Sequence, residues 1–188
     1  MTRPVGIILI FFTFFALGLS RDTYAEEKIP SGIHKVLFPN GQTRSIMDYK
    51  DGQLHGAAKF YREDGTIQHE CTYAKGLLDG AYLEYDENGK LVRKLIYKAD
   101  VLEGPAKEYY PSGQVKAEYS FSHNQIEGSM RRLHENGQLK SEVTFAHGKA
   151  NGVYKEYDEK HTHEIEIFFT NGESTRTSKK LLNESKLI

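Results

Sequence analysis

The sequence predicts an all-β fold, an elongated single-layer antiparallel sheet built from stacked 24-residue β-hairpins. Three observations carry this reading. Glycine recurs every 24 residues in two interleaved series: Gly32, Gly56, Gly80, Gly104, Gly128 and Gly152, and Gly41, Gly65, Gly89, Gly113 and Gly137. The segments between them alternate with a period of two, as in Ile67, His69, Cys71 and Tyr73 against Gln68, Glu70 and Thr72. The composition, with 12 Tyr, 10 Phe, 5 Pro and no Trp, suits strands.

The chain has 188 residues, and its first 20 differ from the rest. Arg3 precedes an uncharged apolar stretch from Val5 to Leu19, about the length of a signal-peptide core and short for a membrane span. Thr23-Tyr24-Ala25 before Glu26 offers a cleavage site, and Ser20 before Arg21 a second. The expectation is a signal peptide over 1–25, a linker over 26–31, and a periplasmic or secreted mature chain. An uncleaved signal anchor is the alternative. A single cysteine, Cys71, leaves an exported protein without an internal disulfide, so packing and strand pairing must hold it.

The repeat domain is expected over 32–172. Asn40-Gly41, Asp64-Gly65, Asn88-Gly89, Ser112-Gly113 and Asn136-Gly137 mark the first turn of each unit. Asn-Gly and Asp-Gly supply the positive φ of two-residue hairpin turns, so each unit reads as strand, tight turn, strand. A second connection, Lys75 to Asp79 and its equivalents, leads to the next hairpin. This gives about twelve strands, two per unit.

Three side-chain ladders run through the array. Tyr49, Tyr73, Tyr97, Phe121, Phe145 and Phe169 form one; Tyr61, Tyr85, Tyr109 and Tyr157 form another, with Leu37 and Leu133 in its remaining places. Leu54, Leu78, Leu102, Ile126 and Ala150 form the third. Large apolar residues are mostly inside, so the stripes are read as core. The phase decays at His161 and Arg176, where glycines are due, as in a terminal repeat. Residues 173–188 are a C-terminal cap or tail, with helix and disorder both open.

Few residues suggest chemistry. His161 and His163 share one strand face, but Glu164 and Glu166 lie on the other and zinc needs three or four ligands, so no metal or other cofactor is expected. No nucleophile motif, phosphate loop or HExxH occurs, so no enzyme is expected. The net charge of −1 argues against nucleic acid. The candidate interaction residues are a basic ladder of Lys35, Lys59, Lys107, Arg131 and Lys155, each third after a unit glycine. It reads either as a cation row for phosphates or an acidic partner, or, as the favoured expectation, as charge that is solvated and paired across strands with an acidic ladder, the lysine stems covering apolar surface. The acidic row Glu70, Glu118, Glu142 and Glu166 has the opposite parity in its strand, which weakens direct pairing without displacing that reading.

The order Gly80, Tyr85, Asn88, Gly89, Leu91, Tyr97, Gly104, repeated as Gly104, Tyr109, Ser112, Gly113, Val115, Phe121, Gly128, resembles the MORN repeat in its bacterial variant form. The resemblance covers Gly32 to Gly172. It implies single-layer antiparallel sheets linked to membrane recognition, dimerisation and scaffolding, and in bacteria an antitoxin-like label. The expected function is therefore an exported, non-enzymatic protein-interaction or scaffolding module with a protein partner. The alternatives are association with an anionic membrane surface through the Lys/Arg ladder, and an antitoxin or immunity-type role. A homodimer is left open.

Overall fold

The computed structural model describes residues 29–182. The expected signal peptide and the last six residues, with Asn183-Glu184-Ser185, lie outside the described residues.

All the described strands belong to one open antiparallel sheet. They are β1 (Gly32–Leu37), β2 (Thr43–Lys50), β3 (Gln53–Tyr61), β4 (Ile67–Ala74), β5 (Leu77–Tyr85) and β6 (Leu91–Lys98). Then come β7 (Val101–Leu102), β8 (Gly104–Tyr109), β9 (Val115–Ser122), β10 (Gln125–Ile126), β11 (Gly128–Leu133) and β12 (Leu139–Ala146). The last are β13 (Lys149–Ala150), β14 (Gly152–Tyr157), β15 (His163–Thr170) and β16 (Glu173–Leu181). Thirteen strands follow one another across the sheet, and the two-residue β7, β10 and β13 pair beside the path. Each of these three is the start of a strand cut by a bulge: Glu103, Glu127 and Asn151 turn their N–H back to Ile96, Ser120 and Thr144.

The two kinds of connection are the reverse of the sequence expectation. Asn40, Asp64, Asn88 and Asn136 keep negative φ, and only the glycine that follows each is left-handed. The Gly89 N–H donates to the Asp86 carbonyl at 3.1 Å, so this is a turn closed by a left-handed glycine, a three-residue loop with a glycine bulge. The Asx side chains explain the choice: Asn40 Oδ1 accepts the Gln42 N–H at 2.9 Å, and Asp64 Oδ1 the Thr66 N–H at 2.8 Å. The tight two-residue turns lie at the second connection. Asp51-Gly52, Lys75-Gly76, Ala99-Asp100, His123-Asn124, His147-Gly148 and Asn171-Gly172 have positive φ at both positions. Residues 77–79 are consequently strand rather than loop.

The C-terminal stretch also differs. Glu173–Leu181 is neither helix nor tail but β16, paired with β15 from Thr170↔Glu173 to His163↔Leu181. Its Thr, Ser, Arg and Lys residues need no core because the strand is largely exposed.

Two hydrogen-bonded rails tie unit to unit. On the tight-turn edge, Gly76, Asp100, Asn124, Gly148 and Gly172 donate their N–H to the carbonyls of Leu54, Leu78, Leu102, Ile126 and Ala150. On the opposite edge Arg62 donates to the carbonyls of Tyr85 at 2.6 Å and Asp86 at 2.9 Å, and Tyr110 Oη to that of Leu133 at 2.8 Å. Each unit is therefore closed by its neighbour.

The core is the middle of one sheet face. Ala58, Cys71, Leu95, Ala106, Ala117 and Tyr119 are buried there, with Tyr82, Tyr97, Leu102, Phe121, Ile126 and Met130 packed around them. Small residues reach near-complete burial because tall aromatic neighbours roof them; Ala58, Ala106 and Ala117 are each 1% exposed. No large side chain is fully buried among the described residues, as a one-layer sheet requires.

Candidate functional site

Strand pairing divides the three ladders between the faces. Tyr97 packs with Leu102 on the core face, and Phe121 with Ile126. Tyr85 stands with the charges on the opposite face, its hydroxyl donating to Glu70 at 3.4 Å. Tyr61 and Tyr109 lie close enough to Lys59 and Lys107 to act on their charge. Tyr61, Tyr85 and Tyr109 of the second stripe are therefore half-buried members of the charged face, while Tyr157, stacked on His161, is buried at 9% exposure.

The basic ladder pairs directly with the acidic one. Lys59 is registered opposite Glu70, Lys107 opposite Glu118, Arg131 opposite both Glu118 and Glu142, and Lys155 opposite Glu142 and Glu166. Lys59 Nζ lies 2.8 Å from Glu70, Lys107 Nζ 2.6 Å from Glu118, and Lys155 Nζ 3.3 Å from Glu166 and 3.5 Å from Glu164. This is the cross-strand pairing expected over a free cation row; the opposite parity does not weaken it, because directly opposed residues of antiparallel strands share a face whatever their numbers. The neighbouring carboxylates raise the Lys59, Lys107 and Lys155 ammonium groups above their ordinary value. Lys35 is opposite Ile46 on exposed β1 and has no ion-pair partner among the described residues. The ladder is thus largely a neutral stripe of alternating sign.

The two histidines of the decayed repeat are not brought together. His161 stacks on Tyr157 with 4.3 Å between ring centres, and His163 Nδ1 lies 3.6 Å from Asp158. The Asp158 carboxylate accepts the Thr162 hydroxyl at 2.6 Å and the Thr162 and His163 N–H groups, which hold it well below the usual carboxylate range. This pattern is loop closure, the same device as Asp86 with Asn88 and Lys90. No grouping of three metal-ligating residues occurs among the described residues.

What sequence reasoning missed is a polar row inside the core face. Phe60, Glu84, Glu108, Arg132 and Glu156 occupy one position of successive units. Glu84 meets Arg93 at 3.3 Å, Glu108 accepts from Tyr119 Oη at 3.1 Å, and Glu156 from Tyr154 Oη at 2.9 Å. Burial and the adjacent carboxylate push the Tyr119 hydroxyl up to about 12. The 24-residue alignment contains this row, but its members differ in sign and do not stand out as a ladder. Beside it the rings of Phe60, His69 and Tyr82 stack at 4.3 and 5.3 Å, and burial lowers the His69 imidazole below its ordinary value.

Comparison with known proteins bears on the fold. The family model described as the MORN repeat variant matches four consecutive stretches, 54–75, 78–99, 102–123 and 126–147. No curated protein matches the chain. Among solved structures, an S. aureus TarM mutant in complex with fondaparinux, alpha-GlcNAc-glycerol and UDP is similar over 57% of this chain and 21% of its own, at 9% identity and a TM-score of 0.39. A GtfA/B complex bound to UDP and GlcNAc is similar over 65% of this chain and 24% of its own, at 12% identity and a TM-score of 0.28. The chain thus spans about a quarter or less of the length of these structures.

Proposed function

The chain belongs to the MORN repeat variant family, and from that membership we propose that it is an exported, non-enzymatic binding module whose core face receives a protein partner. MORN repeats generally mediate protein or membrane interactions. The observation that carries the choice between them is the contrast between the faces. One face consists of half-buried Tyr82, Tyr97, Phe121 and Phe145 with no second layer over it among the described residues. Contiguous apolar surface of this kind marks interaction sites, and aromatic residues are enriched in them. On the opposite face Lys59, Lys107 and Lys155 are already paired with carboxylates, which reduces the charge open to an anionic membrane.

Export rests on the charged start and apolar stretch of residues 1–20. A toxin acting outside the cytoplasm is among the partners this reading admits.

The test is site-specific photo-cross-linking of the exported protein in its own cells. A photoreactive amino acid replaces Phe145 on the core face or Lys94 on the opposite face. The expected result is a discrete protein adduct from position 145 and none from position 94. Adducts from position 94 alone, or lipid adducts only, overturn the reading.

A further inference from the structure

We propose that the trough around Arg132 is the docking site for an extended segment of the partner that carries carboxylates beside a large apolar side chain. This rests on the core face being the contact surface.

Arg132 breaks its row. The glutamates at the equivalent positions each have a partner, whereas Arg132 has no carboxylate within ion-pair distance among the described residues. It stands between Ala117 and Ser141, directly opposite it on β9 and β12. Both are short and buried, so the face is hollowed on either side of an exposed guanidinium.

The two hollows differ in chemistry. One, of about 180 Å³, is lined by Lys116, Lys140 and Arg132, with Glu108 the one acid on its wall. That acid is already held by Tyr119. The other, of about 220 Å³, is lined by Met130, Val143, Phe145 and Phe169, with Arg132 on its rim. A cationic hollow and an apolar hollow sharing one arginine are complementary to an anion and an apolar group held side by side. Arg is the residue suited to such a site, because its planar fork meets a carboxylate with paired hydrogen bonds.

The occupant is a protein segment rather than a free small molecule. Small-molecule sites enclose most of their ligand in roughly 300 Å³ or more, and neither hollow reaches that volume. The partner must therefore supply the missing wall. A planar headgroup array does not enter a trough flanked by taller aromatic side chains.

The experiment is selection of short random peptides displayed on phage against the folded repeat protein. Wild-type protein is expected to enrich peptides with Asp or Glu next to Phe, Leu or Tyr. The charge-reversed variant Arg132→Glu with Lys140→Glu is expected to bind the selected peptides at least about tenfold more weakly and to enrich basic ones instead. Arg132→Met keeps the apolar preference and loses the acidic one. Lys94→Glu, on the opposite face, selects as wild type does. All three positions are exposed, and an unchanged circular dichroism spectrum confirms that the variants fold.

No enrichment, or enrichment of acidic peptides undiminished on the charge-reversed variant, overturns the proposal. Saturable binding of dodecanoate that depends on Arg132, without peptide enrichment, replaces it with a lipid-anion site. Cross-linking from position 145 is read separately, so a protein contact on this face can stand while the Arg132 site falls.

Discussion

Lys59 and Glu70 face each other across β3 and β4 with 2.8 Å between Nζ and Oε1. Lys107 and Glu118 repeat the contact 48 residues later, at 2.6 Å. Both lysines are about half exposed, so solvent and salt screen the attraction. Lys59→Met is expected to cost less than about 1 kcal/mol of stability. Lys59→Glu costs more, and Lys59→Glu with Glu70→Lys recovers most of the loss. Urea unfolding at low and high salt measures this cycle. A coupling that does not shrink with salt contradicts the screened pair.

Gly56 is a different matter. Its φ is +99°, and a Cβ there would sit 2.9 Å from Asp48 Oδ2 on the adjacent strand. Gly56→Ala is expected to destabilise by about 1–3 kcal/mol through backbone strain. Gly89, at φ +75° with open space around it, accepts Asn, a residue that tolerates the left-handed region. Melting of the two variants side by side tests the contrast; equal midpoints would count against it.

Arg62 clamps two units, with Nη1 donating to the carbonyls of Ile67 and Asp86 and Nη2 to that of Tyr85. Lysine cannot span this fork, so Arg62→Lys is expected to lose about 1–3 kcal/mol despite keeping the charge. Hydrogen exchange should show faster opening at the end of β5 near Tyr85. Exchange unchanged from wild type would exclude the clamp.

His69 gives the fold an acid sensitivity. Burial between Phe60 and Tyr82 lowers its imidazole value; Glu84 opposite it raises that value and Arg62 lowers it further. The folded state therefore favours neutral His69. Its contribution is complete above the unfolded value near 6.5 and falls as the pH drops through that value toward the folded one. Wild-type melting midpoints should decline between about pH 7.5 and about pH 5.5, and His69→Phe should flatten that decline. A variant with the same slope as wild type would show that His69 is not its source.

The repeat, the strand alternation and the ladders were legible because each is a local pattern that the 24-residue period copies. Turn geometry was not. Asn40-Gly41 and Asp51-Gly52 are equivalent as composition, and they diverge because the Asn40 side chain captures the Gln42 N–H while Asp51 itself adopts φ 53°. The third glycine series, Gly52, Gly76, Gly148 and Gly172, was the available signal, masked by Asp100 and Asn124 in its middle places. The pairing of Lys59 with Glu70 was legible as one of two readings and not as a register, because parity along one strand says nothing about which residue of the next strand lies opposite. The Arg132 trough depends on the shortness of Ala117 and Ser141, which are seen to flank Arg132 only once the register is known.

The tight-turn rail, where Gly76 bonds Leu54 and each later turn bonds the residue 22 positions before it, acts as a counter. Duplication or removal of one whole period leaves every donor facing an acceptor. Any other change in length misaligns the count along that edge from the point where it occurs. Such a chain can grow or shrink only in quanta, so the reach of its aromatic face is a discrete variable, set by copy number and not by the composition of a loop.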